Sequence, residues 1–450
     1  MNTEQVVVVG AGPAGTTTAL MLARQGRRAV LVDRDPGPAE DGSWERRGVM
    51  QFAQPHAFRT PFHDVLADRL PDVLERVVVA GAEPMTLGTG GPTLGLRCRR
   101  TVVDRVLREA VYDEPGVRVV TGHADRLLVA GRRVHGVVVD GVEEPADLVV
   151  VATGRSGRLG DEVLPARESS PCGLSYASRL HQLLPGREPP LINSPLGYAV
   201  LQDGYLLIVF LHDAGTFTVL LVRADDDAEL AALRGTPVWD RAMRLLPGAA
   251  AWTNPDVSRP ISRVRPGAGL TNSYRHQATD LDGLLLVGDA VLTTNPAGGR
   301  GASHALASAA TLVDVVTGTR RATWAQALDD WDEQHLRPWV VDAVRSDAAL
   351  LRRWAGLPPD LSSPLPADLV LAPLASDPVL APLAGAYNRL AVGPDVFAAY
   401  EDRARQVWRA GWRPALAEGP TRDELVATLG AGSQPVANAG SGRSTVRSSA

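Results

Sequence analysis

The sequence predicts an α/β chain, α+β overall, in which a parallel-sheet domain is assembled from separated segments, an antiparallel lobe is inserted within it, and helices follow. Three observations predict this. A strand, a glycine turn, a helix and a second strand occupy the first 33 residues. A second strand, glycine turn and helix begin near residue 284. Between them lie alternating, aromatic-flanked runs joined by polar turns, the texture of antiparallel strands.

At 450 residues the chain is long enough for about three domains. With 45% apolar and 22% charged residues it has the composition of an ordinary globular protein. A net charge of −5 gives no overall attraction to nucleic acid or anionic membrane. No apolar run approaches the ~20 residues of a membrane span. Met1–Gln5 carries no basic leader signature, so a cytoplasmic protein is expected. All 46 basic residues are arginine. The absence of lysine excludes a Schiff base, a Walker-type phosphate lysine and a lysine general base. Cys98 and Cys172 are too few for a disulfide framework or a cysteine zinc site. Metal is expected to be absent, because no histidine and carboxylate pair has ligand spacing on one helix face.

Taken in order, Val6–Val9 is apolar on both faces, as a central parallel strand should be. Gly10-Ala-Gly-Pro-Ala-Gly15 precedes a helix that ends near Gln25, with Gly26 at the cap. Ala29–Val32 is the second strand and closes on Asp33. A meander is read from Val117 to Val151, with strands at 117–120, 126–130, 134–140 and 148–152. From Leu174 to Val222 the runs 199–201, 205–211 and 216–222 form an antiparallel lobe. Leu284–Val287 returns to parallel-strand texture and leads through glycines into a helix to about Thr317. Beyond Ala322 the chain reads as helical. Trp324, Trp331, Trp339, Trp408 and Trp412 read as core packing, and His212 and Asp213 as turn residues. The residues after about 430, mostly Gly, Ser, Ala and Asn, read as a disordered tail.

Gly10-X-Gly12-X-X-Gly15 between strand and helix, with Asp33 eighteen residues beyond Gly15, is the dinucleotide fingerprint in its required context. Gly10 permits the turn, Gly12 lets a pyrophosphate approach the amides, and Gly15 lets helix and strand pack closely. Pro13 loses nothing at the first helical turn, and Asp33 accepts from a ribose diol. The motif alone does not choose between FAD and NAD. The second motif, running from Gly288-Asp289-Ala290 through Asn295-Pro296 to Gly299-Arg300-Gly301-Ala302, favours FAD. Asp289 suits a ribityl hydroxyl, and the helix start near Gly298–Ala302 suits the electron-rich edge of an isoalloxazine.

On these residues the chain resembles the para-hydroxybenzoate-hydroxylase-like family of single-nucleotide-fold FAD monooxygenases. The resemblance covers 1–60, 95–160 and 270–320. It implies a Rossmann-like FAD domain at 1–60, 95–170 and 270–320, and an antiparallel substrate lobe at 171–269 with 61–94 contributing. A C-terminal helical region at 321–430 and the tail at 431–450 complete the division. It implies non-covalent FAD on Gly10, Gly12, Pro13, Ala14, Gly15, Asp33, Arg34, Gly288, Asp289, Pro296, Gly299, Gly301 and Ala302. Arg46-Arg47 resembles the segment whose arginine approaches the pyrophosphate, and Arg100 resembles a cofactor-contacting helix start. Gly48-Val-Met-Gln51 through Pro55-His56 is similar to bacterial polyketide epoxidases of this superfamily. One element departs: Thr153 stands where the family carries an aspartate implicated in FAD and NAD(P)H binding. The electron source, NAD(P)H or a partner flavin reductase, therefore stays open.

The activity implied is insertion of one oxygen atom of O2 into an organic substrate, as hydroxylation or epoxidation, through a flavin C4a-hydroperoxide. The substrate is expected to be a secondary-metabolite intermediate. Oxygen chemistry belongs to the flavin, so a catalytic dyad need not exist. The candidates outside the cofactor set are His56 and Arg59 (polarisation of substrate or flavin, against a loop histidine and a surface arginine) and Pro296 beside the ring. Arg300 stabilises reduced flavin or is merely solvated, and His304 acts at the flavin-edge helix or packs. A flavin-dependent halogenase, a reductase of the same fold and a non-catalytic flavin-binding partner are the alternatives. The halogenase family relies on a lysine and a Trp-X-Trp-X-Ile-Pro segment, and the prenyl-chain reductases on Tyr-X-Trp-X-Phe-Pro. None of these is present.

Overall fold

The computed structural model describes residues 4–86 and 91–431. The tail expected at 431–450 lies outside the described residues except at its first position. The centre is a five-stranded parallel sheet in the order Leu284–Leu286, Leu148–Val151, Gln5–Val9, Arg28–Asp33, Val117–Thr121. Its strands are apolar on both sides because both sides are covered. Val6, Val8, Leu31 and Val150 enter one core, and Val7, Val9, Val30 and Val149 enter another, as the two-residue period of a strand requires.

The first core is closed by the helices Pro13–Arg24, Arg100–Asp113 and Gly301–Gly318. The second is closed by a three-stranded meander and by C-terminal helices that contribute Trp339, Phe397 and Ala404. Of the five tryptophans, Trp324, Trp339 and Trp408 are buried, and Trp408 meets Trp412 edge-on at 4.8 Å.

Two expectations need correction. Val117–Thr121 is not a meander strand; it is the edge of the parallel sheet, paired with Arg28–Asp33, and Leu148–Val151 lies in the same sheet. The meander consists of Ala124–Ala130, Arg133–Val139 and the unforeseen Val142–Pro145. The segment 61–94 was expected at the lobe. Its helices Thr60–Arg69 and Pro71–Val79 instead bury Phe62, Leu66, Val73 and Val77 in the core of the fingerprint helix.

The inserted lobe is an antiparallel sheet in the order Gly197–Leu201, Tyr205–Leu211, Thr216–Ala224, Leu174–Leu183, with two short strands on the last. One face packs against the helices Thr236–Leu245 and Pro247–Thr253 through Trp239 and Trp252, and against Leu425 and Leu429 of the last described helix. The other face, with Tyr176, Ile208, Phe210, Leu220 and Val222, turns toward the parallel-sheet domain. Asp213 lies in the turn between Tyr205–Leu211 and Thr216–Ala224, as expected for it, and takes Arg99 as a salt-bridge partner at 2.5 Å. That pair ties the lobe to the start of the Arg100–Asp113 helix.

Candidate functional site

The site begins where the first strand turns into its helix. Gly10 has φ +111°, and a Cβ there would meet the Ala152 carbonyl oxygen at 2.3 Å. A Cβ on Gly15 would meet the Gly10 carbonyl at 1.8 Å, so helix and strand approach as closely as backbone allows. Gly12 differs. The nearest atom to a Cβ there is Arg100 Nη2 at 3.9 Å, so this glycine faces open space. The amides of Gly12, Ala14 and Gly15 find no acceptor among the described residues, and Pro13 has no N–H. A row of unpaired amides at a helix start is an anion cradle. The second motif nests on the first, since Gly288, at φ +65°, would carry a Cβ 2.8 Å from that of Ala14.

The cleft over this turn encloses about 420 Å³. Asp33 lies on its floor, its Oδ2 accepting from Ala11 N–H at 2.5 Å and Arg46 at 3.0 Å, its Oδ1 from Asp35 N–H at 2.8 Å. Arg46 is buried and pairs with Asp33, Asp104 at 3.1 Å and Asp35 at 3.4 Å. It braces three aspartates from within the cleft lining, while Arg47 is exposed on the rim. The Arg34 guanidinium lies against Gly48. Arg100 hydrogen-bonds Asp104 at 3.3 Å and approaches His56 Nε2 at 3.5 Å.

Asp289 stands where this cleft meets a narrower cavity of about 140 Å³. Removal from water pushes its carboxyl up, and the guanidiniums of Arg100, Arg155 and Arg167 pull it back. The narrow cavity is floored by Pro296, Ala297 and Gly299–Ala302, and roofed by Tyr176, Phe210 and Leu220 of the inserted sheet. The amides of Arg300, Gly301 and Ala302 find no acceptor among the described residues, so a second helix start presents free donors to it.

The loop feeding that helix is held from two sides. Asn295 caps Ala297 N–H at 3.0 Å and donates to Asp347 at 2.6 Å, which also takes Asn272 at 2.7 Å. Arg59 donates to the carbonyls of Gly298 at 2.7 Å, Gly299 at 3.2 Å and Asn388 at 3.0 Å. Burial, with Arg300 nearby, lowers Arg59 to about 10, so it stays charged at neutral pH.

His56 lines the narrow cavity, donating from Nδ1 to Gln54 O at 3.0 Å. Burial and Arg100 lower it to about 3, so the ring is neutral. The Arg300 guanidinium turns from the cavity floor toward the C-terminal helices. It donates to the Tyr387 hydroxyl at 2.6 Å and lies over Trp339, 4.9 Å from the ring centre. His304 is buried against Trp339 at 5.1 Å and reaches neither cavity. Sequence reasoning missed Arg155, Gln51, Gln54, Tyr176, Phe210 and Leu220. Arg155 sits two residues from Thr153 and lines both spaces; the chain carried that signal. The three roof residues carried none, because only the tertiary return of the lobe brings them there.

Residues 5–59 match the family described as FAD dependent oxidoreductase. D-amino acid dehydrogenase 2 of Ralstonia nicotianae is 43% identical over 49 residues, 11% of this chain and only 12% of that protein. The probable 2-heptyl-3-hydroxy-4(1H)-quinolone synthase AqdB2 of Rhodococcus erythropolis is 26% identical over 77% of this chain and 87% of its own length. Among solved structures, the flavin-dependent brominase Bmp2 superposes with a TM-score of 0.63 at 15% identity, covering 91% of this chain and 98% of that one. The p-nitrophenol 4-monooxygenase PnpA of Pseudomonas putida DLL-E4 gives 0.57 at 19% identity, with 91% and 97% covered.

The fold is similar to those of Bmp2 and PnpA along nearly the whole chain, and the segment that carries the first glycine turn matches the FAD dependent oxidoreductase family. No helix among the described residues is long and apolar enough to cross a membrane. No group of three metal-ligating side chains occurs among them.

Proposed function

We propose that this chain is an FAD-dependent monooxygenase that inserts one atom of O2 into an organic substrate, by hydroxylation or epoxidation. The observation that carries the reading is the narrow cavity. Free amides at Arg300–Ala302 face a space roofed by Tyr176, Phe210 and Leu220, which joins a positive pole for reduced flavin to a water-poor pocket. Bound flavin, once reduced, supplies the activation of O2. The protein does the rest. Gly12 and Ala14 offer amides to the pyrophosphate, Arg100 and Arg155 neutralise its charge, Asp33 takes the ribose diol and Asp289 the ribityl chain. Pro296 presents an apolar surface, and neutral His56, its Nδ1–H held by the Gln54 carbonyl, offers Nε2 as an acceptor without bringing charge into the pocket.

Asp33→Ala is expected to weaken FAD binding by about 1–3 kcal/mol, read as flavin lost during gel filtration. Asp33→Asn, which keeps the volume and one acceptor, should lose less. Equal retention in all three proteins would remove the ribose role.

The name of AqdB2 and the monooxygenase PnpA support aromatic substrates. The likeness to a brominase is one of fold at 15% identity, and a chain without lysine lacks the residue on which the halogenase family relies. The test is to reduce the flavin chemically, admit ¹⁸O₂ with an aromatic panel, and weigh the products. One ¹⁸O in the product is expected. A saturated product without label, or one that requires halide, overturns the reading. With Thr153 packed against Gly157 in place of an acid, NAD(P)H alone is expected to reduce the flavin slowly, and an added flavin reductase to raise turnover.

A further inference from the structure

The apolar face of the inserted sheet continues past the narrow cavity. Leu174, Leu206 and Val222 lie on the same three strands as Tyr176, Phe210 and Leu220, and roof a second chamber of about 650 Å³. Even spacing along a strand keeps residues on one face, and Val222 pairs with Tyr176 on one side and Leu206 on the other. The six residues therefore make one continuous ceiling. From Phe210 to Leu206 is four residues, about 13 Å of strand.

Beneath that ceiling the 295–300 loop runs between the two spaces. Ala297 and Arg300 line both, and Gly298 and Gly299 add no side chain. Arg300 directs its guanidinium to Tyr387 and Trp339, so the partition is the loop backbone, the Ala297 methyl and the stem of Arg300. The chamber's other walls come from the C-terminal helices through Ala343, Leu350, Leu371 and Ala384. It reaches the surface at Asp368, Ala381 and Asn388, all exposed. Alanines and leucines around a space of this size forgo contacts that bulkier side chains would make.

We propose that this chamber takes the hydrocarbon tail of an elongated substrate whose reacting head lies under Tyr176 and Phe210. The substrate class is then a ring or alkene bearing an apolar extension, with a total reach of about 13 Å or more. The placement of the head rests on the monooxygenase reading; the chamber's affinity for a tail does not.

The experiment uses the FAD-loaded full chain and 4-alkylphenols from methyl to decyl. Calorimetric Kd should fall by up to about fourfold per added methylene along the series. A decyl member carrying a terminal diazirine should label residues within 343–350 or 371–384 on irradiation. Ala372→Trp and Ala384→Trp, on two different segments, should each abolish the gain of the long members and leave 4-methylphenol binding unchanged. A Kd independent of chain length, a gain that survives both substitutions, or labelling confined to other surfaces overturns the proposal. Chain-length dependence without ¹⁸O incorporation keeps the chamber and removes the oxygenase reading. Incorporation into short phenols without chain-length dependence does the reverse.

Discussion

Lowering the pH from 7 to 5 is expected to destabilise this protein steeply. His181, His212 and His304 are buried, and burial lowers them to about 4, 4 and 3. An unfolded histidine titrates near 6.5. Each therefore contributes stability that is present above that value and lost as the pH falls toward the folded one. Asp332 works in the opposite sense. Burial, opposed by the Gln277 hydrogen bond and aided by Asp329 and Glu333, raises it to about 7. Its contribution is complete only below the unfolded carboxyl value and is lost as the pH rises through 7. With His56, likewise lowered to about 3, unfolding between about pH 6 and 5 thus binds four protons and releases one, a slope of about 4 kcal/mol per pH unit. Against a stability of about 5–15 kcal/mol, that single unit removes a substantial share of the total. Thermal midpoints measured across this range test it, and a flat profile would falsify it. His304→Phe, which removes a buried Nε2 without a partner, should make the slope shallower by about one proton.

Arg59→Ala should strip the flavin from the protein. Among the described residues the guanidinium alone donates to the carbonyls of Gly298 and Gly299, and those carbonyls set the direction of the amides that follow. A hydrogen bond from a charged donor is worth about 1.5–3 kcal/mol, so FAD affinity should fall by about 10- to 100-fold and the thermal midpoint with it. Arg59→Lys can reach one carbonyl but not the fork, and should recover only part. The readouts are flavin content after gel filtration and Kd from flavin fluorescence. Wild-type affinity in Arg59→Ala would show that the loop holds its shape through Asn295 and Asp347 alone.

The parts of this molecule that local chemistry dictates were legible in the chain. Gly10, Gly12 and Gly15 each meet a steric demand made within one turn, and Asp33 follows at the length of one helix and strand. The nesting of Gly288 on Ala14 answers the expectation that two distant motifs share one cleft. What escaped depends on partners that a linear reading does not contain. A four-valine run such as Val6–Val9 declares burial, but Val117–Val120 looks the same whether its neighbour runs parallel or antiparallel, and it was placed in the wrong sheet. Arg59 read as a surface arginine or a catalyst. Its true neighbours, Gly298, Gly299 and Asn388, lie more than 230 residues away. Arg46 was expected near the pyrophosphate because its position fits. Its three aspartates, Asp33 at the end of the second strand, Asp35 just beyond it and Asp104, hold it buried in the lining of the cleft.

The order of the parallel sheet also bears on how the chain is made. The strand Gln5–Val9 lies two places from Leu284–Leu286, and its helix packs against Gly301–Gly318 through Leu20, Ala305 and Leu312. A ribosome adding about 5–20 residues per second delivers the first of these pieces tens of seconds before the last. Leu148–Val151 covers the Gln5–Val9 edge midway, but its own outer edge and the flank beneath the 301–318 helix stay bare through the interval, while the strands of the antiparallel lobe are already made. The nucleotide-binding half can be sealed only as the 301–318 segment clears the exit tunnel, and the lobe core is completed later still by Leu425 and Leu429. A chaperone that shields an open sheet edge, or FAD itself arriving early, would act on this waiting intermediate, and growth temperature or codon choice between residues 175 and 285 would set how much of it survives.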